Sequence, residues 1–452
     1  MTTAVVLKNE SVNSLEDNYL SKLLSQCEKK NAVIQSDFLS DLKQKAASIL
    51  TQSKFPSKKD EEWQFTDISD LLKTDFQVAK ETTLTTEVLN QFVLEEAKNS
   101  RLVFVNGIYS SELSNITALP DRVYVGNLSN LPDTKKTQLA NYLGQQEGSD
   151  EFFTALNTAG LSDVAIAWVS SDITIETPIH LLFLSVVDLV PSLIQTRVLV
   201  IAEPNSKFSI VESYGAVTDN CTDRPQQKPY FSNIVAEIYL AENSQVNHIR
   251  NQRESGDSFH IAKTAIAQSK NSSYSNYDFN LGSKLCRHNL EIYQQGEQTE
   301  SNLNGLTIIA GRQVSDTHSA IHLRHPHGKT NQLHKCIVDE YSHAIFSGKV
   351  FVPKAAQMTN ANQLNRNLVL SSKARINTKP ELQITADNVK CSHGATVSQL
   401  EADEVFYLRS RGLNDYDARH LLIDAFAGEI LDKVSLKSLQ QRLRQCISCR
   451  TI

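Results

Sequence analysis

Two hydrophobic periods divide this chain. Up to residue 98 the apolar positions recur at helical spacing. Ser14 reads as an N-cap with Asp17 three residues on, ahead of a stripe formed by Leu20, Leu23 and Leu24. Ser36 reads as a second cap, with Phe38, Leu39, Leu42, Ala46, Ile49 and Leu50 on one face. Phe55-Pro56 ends that run, because the residue before a proline is pushed out of the helical region. Trp63, within E-E-W-Q-F-T, reads as a packing anchor, and residues 67–73 and 86–98 as two further helices.

At Arg101 the period changes. Leu102-Val103-Phe104-Val105, then Asn106-Gly107, then Ile108-Tyr109 predicts a hairpin, since Asn-Gly supplies the positive φ values of a two-residue turn. Strand-like runs dominate from 164 to 397, among them 164–169, 173–175, 197–201, 234–240, 344–352 and 381–386. Polar turns such as Glu203-Pro204-Asn205-Ser206 and Ala241-Glu242-Asn243-Ser244 punctuate them at roughly 30 residues or a small multiple, a spacing compatible with solenoid coils. The pattern alone does not separate a solenoid from a sandwich or an open barrel.

After Val397 the helical period returns. Residues 403–411 predict one helix, with Gly412 at its left-handed C-terminus. Asn414 caps the next, whose apolar face is read as Leu421, Leu422, Ala425, Phe426 and Ile430. Ser435 opens the last, through Leu436, Leu439, Leu443 and Ile447. Three regions result: 1–98 helical, 99–400 strand-rich, 401–452 helical. Helices appended in this way are expected to be removable after Gly412 with the β stack left folded.

Composition narrows the class. The chain has 452 residues, 40% apolar and 21% charged, as in ordinary globular proteins, and a net charge of −6, against a broad nucleic-acid-binding face. No run approaches the roughly 18 apolar residues of a membrane helix. Seven scattered cysteines argue for free thiols in a reducing compartment, and with no signal or transit pattern the expected location is cytoplasmic. No phosphate loop, dinucleotide fingerprint, G-x-S-x-G elbow or H-E-x-x-H is present.

One stretch offers metal chemistry. After the turn at Asp387-Asn388, an extended run carries Cys391, Ser392 and His393, so the thiol and imidazole emerge on one side of a strand. Thiolate and imidazole suit iron, although a closed site needs four ligands and the pair also fits a buried thiol beside a hydrogen-bonded histidine. His318, His322, His325, His327, His334 and His343 crowd one segment without a cysteine or carboxylate at ligand spacing, and read as surface histidines on coils. Cys446 and Cys449 have C-x-x-C spacing but lie where chains fray; Cys286 and Cys336 read as core.

The string D-N-V-K-C-S-H-G-A-T-V followed by F-Y-L-R-S-R-G, with Phe346-Ser347-Gly348-Lys349-Val350, Gln357-Met358-Thr359 and Asn367-Leu368-Val369-Leu370-Ser371, resembles the SufD branch of the SufB/SufD family of the SUF iron–sulfur cluster assembly machinery. Near the N-terminus, Glu61-Glu62-Trp63 and Phe65-Thr66 resemble that family's K-x-E-x-W-[RK]-[YF]-T element. The resemblance implies a mainly β protein, a right-handed parallel β-helix flanked by helical parts. It implies a non-catalytic scaffold pairing with a SufB-like subunit, or with itself when isolated, and docking a SufC-like ABC ATPase through residues 401–452. Candidate docking residues are Tyr407, Arg409, Arg411, Leu421, Leu422 and Phe426. His393, with Cys391, would be a ligand to a transient iron–sulfur cluster shared with the SufB-like partner, with no tightly bound cofactor. The rival reading is a β-helical polysaccharide-acting enzyme, for which Glu381 and Asp387 are the carboxylates to enlist.

Overall fold

In the computed structural model, which describes residues 19–27, 36–218 and 227–450, the middle of the chain winds into a parallel β-solenoid. Two ten-stranded sheets face each other and successive strands alternate between them. One coil runs Leu285–Gln294 in the first sheet and Glu300–Ile309 in the second, then returns to the first at Val314–His322. Register is strict: Leu285 pairs with Val314, Val314 with His343 and His343 with Arg375. Alternate residues of every strand point inward, so Ile234, Ala236, Ile238, Ile266, Leu290 and Ile292 share one continuous core.

The turns explain why the coils repeat. Asn205, Asn243 and Asn271 take φ values of 60°, 60° and 57°, a left-handed conformation that asparagine tolerates. Their side chains form a ladder, the Asn243 amide donating to Asn205 at 3.0 Å and the Asn271 amide to Asn243 at 3.1 Å. The run at 173–175 is not a strand; it contributes only a bridge from Thr174 to Lys207.

The two ends differ. At the first, each sheet finishes on an antiparallel strand: Ile108–Asn115, from the Asn106-Gly107 hairpin, and Val123–Asn127. At the other end the sheets stop at Arg375–Ile384 and Lys390–Ser398, with no further strand paired to them among the described residues.

The helical parts cover the outer faces of the sheets. Leu50, Phe55, Leu71, Phe76 and Phe153 pack on Phe231, Phe259 and Leu285 of the first sheet. Ser36 caps Asp37–Gln52, accepting from the Leu39 amide; the Ser14 cap lies outside the described residues. The helix expected over 86–98 breaks into Thr86–Asn90 and a single turn at Glu95–Ala97. Arg442 donates to the carbonyls of Phe92 and Val93, which a continuing helix would need for itself.

On the other side, Ile423, Ala427, Ile430, Leu431, Leu439, Leu443 and Ile447 pack on Val211, Ile249, Phe279, Leu306 and Ile337 of the second sheet. Of the face expected from spacing, Ile430 is buried and Phe426 packs on the core, but Leu421 and Ala425 are exposed; Ala418, Ile423 and Ala427 are buried in their place. Cys446 is buried on an ordered helix that continues to Arg450, so the C-x-x-C pair is not frayed. His334 is also not a surface histidine. It lies inside the solenoid, its ring stacked on Phe346 at 5.0 Å.

Candidate functional site at the open end of the solenoid

Cys391 and His393 sit on Lys390–Ser398, the terminal strand of the second sheet. Cys391 pairs with Ala361 and His393 with Gln363, both of which are buried, so the two candidate donors share the lumen-facing side. Cys391 packs partly against the core, whereas His393 is exposed at the mouth. Burial raises the Cys391 thiol above its ordinary range, opposed by the Ala361 backbone amide. Cys286 and Cys336, fully buried, are pushed up to about 12 by burial and stay protonated.

The register below His393 is polar. The Gln363 amide donates to Gln332 Oε1 at 2.8 Å, and Gln332 in turn donates to the Ser319 hydroxyl at 2.9 Å. That fixes the orientation of Gln363 and leaves its Oε1 buried without a partner; Thr378 Oγ1, on the terminal strand of the other sheet, is equally unpartnered. Sequence reasoning missed Gln363, although the spacing of one coil points to it. No group of three or more metal-binding side chains occurs among the described residues. Cys391 and His393 are two side chains of the types that hold iron, fewer than the four ligands of a closed site.

A second feature converges on this end. The segment Glu61-Glu62-Trp63 crosses the outer face of the first sheet. Glu61 pairs with Lys379 at 2.6 Å, and Glu62 with His318 at 3.0 Å and with Lys349. Arg287 lies 3.9 Å from the Trp63 ring, donates to the Glu62 carbonyl at 2.8 Å, and pairs with Asp316. Trp63 is a packing anchor, as expected, and the flanking acids make it a strap across three coils. Glu381 is engaged by Gln383 and lies near Lys379. Asp387 belongs to the bend after that strand, and the two form no catalytic pair that would favour the polysaccharide reading.

The C-terminal helices present a separate patch. Phe406, Tyr407, Tyr416 and Leu421 are exposed, at 72%, 57%, 49% and 50%. Arg411 lies over the Tyr407 ring and Arg409 pairs with Asp415 at 3.4 Å. Leu422 is half-buried, and Phe426 is drawn inward over Lys335. Phe406 and Tyr416 join the exposed patch although neither is among the docking residues expected from the sequence.

A two-sheet parallel solenoid, finished by antiparallel strands at one end and, among the described residues, bare at the other, with a cysteine and a histidine on the terminal strand there, defines the class. The chain belongs to the SufBD family. The SUF system FeS cluster assembly SufBD core domain matches residues 187–426, and the SufBD protein N-terminal region matches residues 13–181. An iron-sulfur cluster assembly SufBD family protein of Synechocystis sp. is 61% identical over the whole of both chains. Protein ABCI7, chloroplastic, of Arabidopsis thaliana is 32% identical over 98% of this chain and 93% of its own. Iron-sulfur cluster assembly protein SufD of Escherichia coli is 34% identical over 47% of this chain and 51% of its own. The family places the chain in iron–sulfur cluster assembly. Among the described residues no helix is long and apolar enough to cross a membrane.

Proposed function

We propose that this chain is a SufD-type, non-catalytic scaffold. Its bare end pairs with a SufB-like subunit, and its exposed C-terminal patch docks a SufC-like ABC ATPase. A nascent iron–sulfur cluster forms at the seam as transient cargo, with His393, and Cys391 beside it, supplying ligands from this side. The observation that carries the reading is the terminal strand itself: a thiol and an imidazole on one side of Lys390–Ser398, whose outer edge has no partner strand among the described residues. An unpaired edge is a template for a strand of another chain, and a sister solenoid offers one at matching spacing. Val397 and Ile384, 56% and 37% exposed on the two terminal strands, add apolar area that pairing would cover.

The test co-expresses the chain with its SufB-like and SufC-like partners. His393→Ala is expected to leave the three-component complex intact on gel filtration while lowering cluster content by about tenfold or more, the scale on which metal-site changes act. Normal cluster content in that variant removes the ligand role. Tyr407→Asp with Leu421→Asp is expected to release the ATPase without lowering the melting temperature of the chain; retained ATPase refutes the docking surface.

A further inference from the structure

A cleft of about 480 Å3 lies between the last helix, residues 88–94 and the outer face of the second sheet, far along the stack from the bare end. Two guanidinium groups line it, Arg253 from Gln245–Arg253 and Arg442 from Lys437–Arg450. None of the ion pairs among the described residues engages either one, on a chain whose net charge is −6.

Arg442 donates to the carbonyls of Phe92 and Val93 at 2.9 and 2.6 Å, which engages two of its N–H groups without supplying a counter-charge. Arg253 Nε is buried with no acceptor, and Asn251 Oδ1 beside it is buried and unpartnered. Glu96, a carboxylate whose charge favours the Arg442 cation, is committed to the Ser438 amide at 2.9 Å and to the Ser438 hydroxyl. Burial, and after it the Arg253 charge, presses the Arg442 guanidinium below its ordinary range. Two cations that repel each other in a partly dry cleft, with a donor left over, are stabilised by an anion placed between them. Phe92, Leu182, Leu439 and Leu443 supply apolar lining, while Gln91, Ser213 and Asn251 add polar groups. The volume is that of a small-ligand pocket.

We propose that this cleft binds a small organic oxyanion with an apolar tail, the head held between Arg253 and Arg442 and the tail against Phe92, Leu182, Leu439 and Leu443. The site is separate from the proposed cluster seam, and its test does not depend on cluster assembly.

The experiment is calorimetric titration of the full chain with octanoate, acetate, inorganic phosphate and octylammonium. Octanoate is expected to bind saturably and at least tenfold more tightly than acetate or phosphate, since each buried methylene adds roughly fourfold; octylammonium is expected not to bind. Arg253→Gln weakens octanoate at least tenfold. Asn251→Asp, which sets a carboxylate beside Arg253 at unchanged size, does the same, and both variants melt like the parent chain. Octanoate binding that survives both substitutions overturns the proposal. Octylammonium binding as tight as octanoate, or no saturable octanoate binding, overturns it as well.

Discussion

Gly305 and His334 occupy neighbouring register positions inside the solenoid, and the missing side chain of one makes room for the ring of the other. A Cβ at Gly305 would overlap the imidazole, which cannot retreat: Phe346 stacks on it and Thr307 bonds its Nε2 at 3.1 Å. Gly305→Ala is therefore expected to cost about 1–3 kcal/mol in denaturant unfolding, the usual range for overpacking a core. An unchanged midpoint would mean the lumen yields. Gly348 stands in the same relation to Gln363, the residue beneath His393. Nothing in the local sequence marks either glycine, because the neighbour each accommodates lies on another strand, a coil away for Gly305 and across the lumen for Gly348. The Cys391–His393 pairing was legible, since strand alternation alone puts residues two apart on one side.

At the scale of elements, the Glu61–Thr66 strap shows what periodicity cannot reveal. Its anchor was readable as an apolar tryptophan among polar residues, but its ion pairs reach strands more than two hundred positions downstream. Those pairs set a pH dependence. Burial alone would lower the His318 pKa, yet Asp316 and Glu62 outweigh it and the imidazole is held above its ordinary range. Its stabilising contribution is complete below the unfolded value of about 6.5 and is lost as pH rises through the folded one. Glu62 is lowered to about 2, chiefly by the His318 hydrogen bond; Asp316 is also held at about 2, burial being overcome by Arg287 and His318. Their contributions are present above the unfolded carboxylate values, near 4, and are lost as pH falls toward 2. Protection of the residue 57–66 amides, relative to their intrinsic exchange rates, should be greatest between about pH 4.5 and 6.5, and His318→Gln should flatten the alkaline limb. Asp316→Asn, which strands the buried Arg287, is expected to cost about 3–5 kcal/mol of stability. A smaller loss would show that the Trp63 face and the Glu62 carbonyl suffice to hold that cation.

For the whole molecule, the order of helical, strand-rich and helical stretches was readable because each has its own hydrophobic period. What the pattern could not show is how the last region sits. Its helices are not an appended dock, since Ile423, Ile430, Leu439 and Leu443 are one side of a shared core whose other side is the second sheet. Ending the chain after Gly412 would uncover Ile249, Phe279, Leu306 and Ile337. Such a truncation is expected to aggregate or to bind an apolar dye rather than survive as a folded stack. A monomeric, dye-silent product would restore the view of the helices as dispensable.

The unlike ends of the stack bear on what it can build. A coil array with two bare ends would add copies without limit, as fibrils do. Here the reversed strands at one terminus break the parallel repeat, so the proposed joining through the other terminus would saturate after a single event. In the proposed assembly the stoichiometry is thus set by a hairpin at the far pole from Cys391 and His393.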